Sequence, residues 1–206
     1  MLFYDTIESS TLELLKELQA IPHFENVRLV GGTSLALQYG HRISIDLDLF
    51  GDFITEEMEI AKALASLKEV NLLKKTPNIF VHIINGIKVD FVNYFYPWID
   101  EMIIADGIRL ASDRDIGAMK LSAITGRGSK KDFIDLYFLL QKFSFVELLK
   151  FYQKKYRDSS LFLVMRSLVY FDDADKQESP KMLMPVEWGE VKEFIRSKHR
   201  TYMSNL

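Results

Sequence analysis

Residues 41–50 read His41-Arg42-Ile43-Ser44-Ile45-Asp46-Leu47-Asp48-Leu49-Phe50. From Ser44 the stretch alternates strictly. Ile45, Leu47 and Leu49 fall on one face and Ser44, Asp46 and Asp48 on the other, the period-two pattern of a half-buried strand. Residues i and i+2 of a strand point the same way, so Asp46 and Asp48 stand side by side while the leucines anchor the strand. Adjacent carboxylates repel each other, and a divalent cation removes that cost. Hard oxygen ligands favour Mg²⁺, which takes phosphate oxygens and waters as further ligands.

Upstream lies Val30-Gly31-Gly32-Thr33-Ser34-Leu35, with a short strand at 27–30 and a helix from Thr33 to Tyr39. Glycines let a backbone approach a ligand closely, and a helix N-terminus offers free N–H groups to phosphate. Thr33 or Ser34 adds a hydroxyl donor, and Arg42 and Ser44 are placed to reach a triphosphate. Downstream, Asp90 alternates with Val89 and Phe91 on another strand and supplies a third carboxylate. Two metals about 3.5–4 Å apart on three carboxylates support in-line phosphoryl or nucleotidyl transfer. Plainer readings exist: solvated strand faces for Asp46, Asp48 and Asp90, a tight turn for Gly31-Gly32 and a surface cation for Arg42. Asp46, Asp48, Gly51 and Glu57 also match positions 1, 3, 6 and 12 of a calcium loop, but Phe50 holds position 5 and no helix precedes it.

The remaining pattern divides the chain near residues 110–113. Before it come a helix over 11–20 capped by Ser10 or Thr11, and a helix from a half-formed cap at Thr55 to Leu67. Strands follow at 70–74, 79–84 and 88–94, the last two joined by an Asn85-Gly86 hairpin turn, and a further strand spans 103–110. Beyond Ser112 the pattern is helical: 113–125, 130–143, 145–156, 161–169 and 187–198. The polar run Asp172–Pro180 reads as an exposed loop. The expected architecture is α+β: a mixed sheet flanked by helices in residues 1–110, then a helical region, 111–206, packed on it.

Helical geometry singles out three more groups. Lys120 falls between Ile116, Ala123 and Ile124 on an apolar face, so it snorkels or meets a partner. Asp135 interrupts a helix that is apolar nearly all round. Buried unpaired carboxylates are costly, so Asp135 faces Lys120, Arg127 or the site. Ser129-Lys130-Lys131-Asp132 reads as an N-terminal capping box. The four histidines lack metal-ligand spacing. Tyr94, Tyr96 and Trp98 can stack a base, although a core edge is the plainer reading.

Composition excludes other classes. With 48 % hydrophobic and 27 % charged residues the chain is of ordinary globular make-up, not disordered or fibrous. The absence of cysteine rules out disulfides, thiolate zinc sites, iron–sulfur clusters and a cysteine nucleophile. No apolar run reaches the roughly 18 residues of a membrane span, and MLFYDTIESS lacks the order of a signal peptide, so a cytoplasmic protein without membrane contact is expected. Residues 1–110 hold nine Lys and Arg against 16 Asp and Glu, whereas residues 111–206 hold 17 against 13. An acidic, metal-using half beside a basic, anion-holding half fits that asymmetry, and Lys192, Arg196, Lys198 and Arg200 offer cations to an RNA.

The motifs together resemble a known family. The pattern GG-T-x-L, R-x-S-x-D-x-D and a later lone Asp is similar to the DNA polymerase beta-like nucleotidyltransferase superfamily. Asp113-Arg114-Asp115-Ile116-Gly117-Ala118-Met119-Lys120 and Arg127-Gly128-Ser129-Lys130-Lys131-Asp132-Phe133-Ile134-Asp135-Leu136 resemble segments of its AbiEii/AbiGii toxin family. The likeness covers roughly residues 27–141. It departs at Gly32, where many superfamily members have Ser; Thr33 offers a hydroxyl next door. The resemblance implies a nucleotidyltransferase-like fold and Mg²⁺-dependent transfer of NMP from an NTP to RNA, tRNA for example. It implies Asp46, Asp48 and Asp90 as metal ligands, and Lys120 and Arg42 as groups that neutralise phosphate charge. Arg127, Asp132 and Asp135 form a possible further site, and a cognate antitoxin a possible partner. A non-catalytic nucleotide- or metal-binding relative and a small-molecule nucleotidyltransferase are the alternatives.

Overall fold

The computed structural model describes residues 1–205 and places the alternating stretch in the middle of a mixed sheet. Among the described residues the strands are β1 (Arg28–Leu29), β2 (Leu47–Gly51), β3 (Val70–Lys75), β4 (Ile79–Ile84), β5 (Ile87–Asn93), β6 (Ile103–Ala105) and β7 (Ile108–Leu110). Their spatial order is β3-β4-β5-β2-β1-β7-β6. β2 runs parallel to β5, and β1 parallel to β7; the other neighbours are antiparallel. The α+β class expected from the sequence is the one the chain forms.

The helices are α1 (Ser9–Ala20), α2 (Gly31–Tyr39), α3 (Glu57–Leu64), α4 (Asp113–Gly126), α5 (Lys130–Lys142), α6 (Phe145–Lys155), α7 (Leu161–Ser167), α8 (Asp172–Asp175) and α9 (Trp188–Met203). Buried apolar residues form two clusters. One joins Leu14, Leu15 and Leu18 of α1 to Leu29, Leu47, Leu49, Val89 and Phe91 of the sheet. The other lies among α4, α5, α6 and α9, with Ile116, Phe133, Leu136, Leu148, Val191 and Ile195. Helix α2 ties them together, since Leu37 enters the first and Leu35 the second. No helix of the described residues is long and apolar enough to cross a membrane.

Several local expectations are corrected. Strand β2 begins at Leu47, and Ile45 is 61 % exposed instead of lying under the sheet. The segment 103–110 is a hairpin, because Asp106 and Gly107 both take positive φ (+51° and +78°), the turn that brings antiparallel strands together. Helix α1 starts at Ser9 after Glu8, and α3 at Glu57, neither with a side-chain cap. Ser144 and Glu147 instead form a full capping box on α6. The 172–180 run contains α8, where Asp175 takes Lys192 at 2.8 Å.

Candidate active site

Parallel pairing of β2 with β5 decides the geometry. Leu47 lies opposite Val89, Asp48 opposite Asp90 and Leu49 opposite Phe91. The four apolar residues are fully buried beneath the sheet, so Asp48 and Asp90 both project from its other face, one strand spacing of about 4.8 Å apart. Burial pushes the Asp48 carboxyl above its ordinary range, and the neighbouring charge of Asp90 adds to this; Lys120 and Lys88 pull the other way. Asp90 is bound by Lys88 Nζ at 2.5 Å. Asp46 precedes the strand, with its carboxylate 3.7 Å from Lys131 Nζ.

Helix α2 starts where β1 and β2 meet. Val30 N donates to Asp48 O at 2.9 Å, and Gly31 then turns with φ +68°. A Cβ at Gly31 would collide with Asp48 Oδ2, so only glycine lets the helix begin against this carboxylate. A Cβ at Gly32 would collide with the Arg42 guanidinium. No side chain caps α2, and its first amides face no intrahelical acceptor.

The hydroxyls expected to hold phosphate are otherwise engaged. Thr33 Oγ1 donates to the Asp46 carbonyl and shares a 2.9 Å hydrogen bond with Ser44 Oγ. Ser34 is fully buried, and its Oγ accepts from Gln38 Nε2 at 3.1 Å. Thr33 and Ser44 thus fix the approach to Asp46, and Ser34 packs inside. Arg42 also departs from expectation. It is buried and grips Asp135 with Nε at 2.7 Å and Nη2 at 2.9 Å, which takes its charge away from a triphosphate.

That grip belongs to a buried network. Asp135 also accepts from His41 Nε2 at 2.8 Å and pairs with Lys120 Nζ at 2.5 Å. Asp132 accepts from Lys120 Nζ at 3.0 Å, from Arg127 Nε at 2.9 Å and Nη2 at 3.1 Å, and from Ser129 Oγ at 2.6 Å. The expected capping box is therefore absent: the Ser129 hydroxyl turns to the Asp132 carboxylate and leaves the helix amides. Burial alone would raise both aspartates, but Lys120 with Arg127 holds Asp132 well below the usual carboxylate range, and Lys120 with Arg42 does the same for Asp135. Lys120 loses charge stability by burial yet is held above its ordinary value by Asp135 and Asp132. Arg42, Lys120 and Arg127 outnumber the two carboxylates by one, and the surplus positive charge borders Asp48.

Asp48, Lys120 and Arg127 line a cavity of about 230 Å³. Phe50, Tyr94, Met119 and Tyr156 line it as well, with the two tyrosine hydroxyls 2.8 Å apart. The cavity lining thus combines charged and aromatic side chains.

A family model described as nucleotidyl transferase AbiEii toxin of type IV toxin–antitoxin systems matches residues 13–109. The Aquifex aeolicus protein aq_aa25 is 37 % identical over 199 residues, covering 94 % of this chain and 96 % of the relative. The chain belongs to the AbiEii nucleotidyltransferase toxin family. In fold it is similar to MenT4, a nucleotidyltransferase toxin of Mycobacterium tuberculosis, with a TM-score of 0.58 at 14 % identity over 90 % of this chain and 79 % of that one. JHP933 from Helicobacter pylori superposes with a TM-score of 0.55 at 19 % identity, over 97 % and 96 % of the two chains.

The stretch matched by the AbiEii model contains Gly31, Gly32, Asp46, Asp48 and Asp90, whereas Lys120, Arg127, Asp132 and Asp135 lie beyond it. Among the described residues no three His, Asp or Glu side chains are gathered as a metal cage. The expected carboxylate trio is instead split, with Asp90 turned to Lys88 and Asp46 to Lys131. A hard cation still suits the donors: Asp48 is raised by burial and by Asp90, a penalty that a bound divalent ion removes. Sequence reasoning missed His41, because a lone histidine carries no pattern, and missed the cavity wall Phe50, Met119 and Tyr156, because those residues meet only in the fold.

Proposed function

We propose that this AbiEii-family nucleotidyltransferase uses the Asp48 cavity to bind an NTP and transfer its NMP to an RNA hydroxyl, tRNA being the leading acceptor. The observation that carries the reading is the pairing of Asp48 with Asp90 in the sheet, with Asp48, Lys120 and Arg127 lining the same cavity as Phe50, Tyr94 and Tyr156. Asp48 and Asp90, with Asp46 beside them, are the residues to hold Mg²⁺. When bound, the metal supplies Lewis-acid stabilisation of the phosphoryl oxygens and a more acidic acceptor hydroxyl. The amides of Gly31 and Gly32 hold phosphate oxygens at the α2 N-terminus. Lys120 and Arg127 supply the surplus positive charge where negative charge develops on the α-phosphate. Arg42, His41, Asp132 and Asp135 orient Lys120 and touch no phosphate.

In the transfer, the acceptor oxygen forms a bond to the α-phosphorus as the bond to the β-phosphate oxygen breaks. Pyrophosphate leaves, and Asp90 takes up the proton of the acceptor hydroxyl. Phe50, Tyr94, Met119 and Tyr156 pack the nucleobase. On this reading residues 1–110 form the catalytic core and contribute Phe50 and Tyr94 to the cavity wall, residues 111–206 supply Lys120, Met119 and Tyr156, and the protein works in the cytoplasm opposite a cognate antitoxin. Incubation with each α-labelled NTP, Mg²⁺ and total RNA tests it. Label in an RNA band with one or more NTPs is expected. Label only in small molecules would replace RNA by a small-molecule acceptor, and no label with any acceptor would overturn the reading.

A further inference from the structure

The cations of α9 once expected to meet RNA are mostly occupied. Lys192 pairs with Asp175, Arg200 pairs with Glu193 at 2.5 Å, Arg196 lies over Phe171 and Lys198 over Phe194. A different surface adjoins the site. Next to the cavity lies a hollow of about 400 Å³ walled by Tyr96, Pro97, Tyr156, Arg157, Asp158 and Ser159. Tyr156 lines both spaces, so the hollow shares a wall with the Asp48 cavity.

Tyr96 of that wall and its chain neighbour Phe95 stand in solvent. Phe95 is 72 % and Tyr96 53 % exposed. They follow β5, the strand that carries Asp90, after Tyr94. Exposed apolar side chains gathered beside a site mark an interaction surface. Tyr96 is held in place, its ring edge-on to Tyr156 at 4.8 Å and tilted against Tyr94 at 5.4 Å. The floor beneath is stiff. Lys155 is fully buried, donates to Asp115 at 2.7 Å and to the Pro97 carbonyl at 3.0 Å, and Asp115 in turn accepts from the Ile99 and Asp100 amides. The platform is therefore preorganised, with Tyr96 half exposed and the exposed Arg157 in its wall.

We propose that this aromatic shoulder docks an unpaired nucleotide segment of the acceptor, with a base stacked on Tyr96 and an adjoining phosphate on Arg157. The proposal rests on the reading of the neighbouring cavity as the NTP site. An aromatic ring stacks on any base whose face is free, and bases within a duplex have no free face. Asp158 beside Arg157 offsets its charge, so stacking rather than phosphate attraction supplies most of the binding. Affinity then depends only weakly on salt, unlike binding through a row of cations.

The test uses the full-length protein, a labelled ten-nucleotide RNA of mixed sequence, single-stranded or annealed to its complement, and fluorescence anisotropy at two salt concentrations. NTP binding is followed in parallel by calorimetry. Single strands are expected to bind more tightly than the duplex. Tyr96→Ala weakens that binding about tenfold, whereas Tyr96→Phe keeps it. Arg157→Gln makes the slope of log affinity against log salt shallower by roughly 0.7. All three variants keep wild-type NTP binding, since neither residue lines the Asp48 cavity. Equal or tighter binding of the duplex would overturn the proposal. So would RNA binding untouched by Tyr96→Ala, the result expected if the shoulder docks a protein, or NTP binding without any RNA binding. Loss of NTP binding in the wild type would instead defeat the reading of the cavity.

Discussion

At the scale of single residues, the chemistry turns on two opposite carboxylate environments that share Lys120 as a neighbour. Asp48 is raised, so its charge costs stability above its own pKa. The part of stability that it limits is fully present below the ordinary value of about 3.9 and lost as pH rises through the folded pKa. Asp48→Asn is therefore expected to raise the melting temperature at pH 7, with the two melting curves converging as pH falls towards 4. The same variant loses roughly a thousandfold in nucleotidyl transfer, the worth of several kcal/mol of metal-assisted charge stabilisation. A variant with near wild-type turnover would remove Asp48 from the mechanism. Asp132 and Asp135 have the opposite sign. Their depressed pKa values contribute stability that is present above about 3.9 and lost only as pH falls through the folded values. Acid melts should show the protein still cooperative at pH 4, with stability falling steeply at lower pH; in Asp135→Asn the fall should begin from a lower plateau.

Lys120 joins both aspartates to the cavity. Its removal takes a charged hydrogen-bond donor from both buried carboxylates, which keep Arg42 and Arg127, so Lys120→Ala is expected to cost about 1.5–3 kcal/mol in denaturant melts. Turnover should fall as well, because the same ammonium borders Asp48. Normal rates with a large loss of stability would leave it a purely structural residue.

At the scale of elements, the start of α2 shows how a backbone position is fixed by distant partners. Gly32 faces the Arg42 guanidinium, which Asp135 holds from α5 with two hydrogen bonds. A neighbour clamped in that way cannot yield. Gly32→Ser, though it restores a residue common in the wider superfamily, should destabilise this chain by about 1–3 kcal/mol through overpacking. Chemical denaturation of the two proteins decides it, and an unchanged midpoint would show that Arg42 shifts freely. The same contact explains why the Arg42 side chain points inwards: its partner comes from a helix far along the chain.

At the scale of the whole molecule, the sheet and the helical region share more than a boundary. Leu35 of α2 sits in the helical cluster, and His41 and Arg42 bind Asp135. A chain ending after residue 111 would expose Leu35 to water and take from Arg42 both Asp135 and its bridge to Met182. It is expected to lack a cooperative melt, while the full chain unfolds in one transition by circular dichroism. A folded, cooperatively melting fragment would mean that the core stands alone.

The sequence by itself determined the sheet, the carboxylate strand and the turns at Asn85-Gly86 and Gly31-Gly32. These depend on short-range rules: period two in Ser44–Phe50, and φ freedom at glycine. It also determined that Asp135, a carboxylate on an apolar helix face, needed a partner, and that Lys120 either had one or snorkelled. It did not place Ile45, because the alternation runs on upstream of the point where β2 pairing begins. Nor did it separate a capping box from a carboxylate anchor at Ser129–Asp132, since both have the same spacing and differ only in where Lys120 and Arg127 arrive. Tertiary structure alone decided that Asp48 and Asp90 share a register and that Arg42 turns inwards to Asp135. It also brought Phe50, Tyr94, Met119 and Tyr156 around one cavity. Each of those facts is a contact between residues distant along the chain, and local pattern carries no information about which distant partner fills a given space.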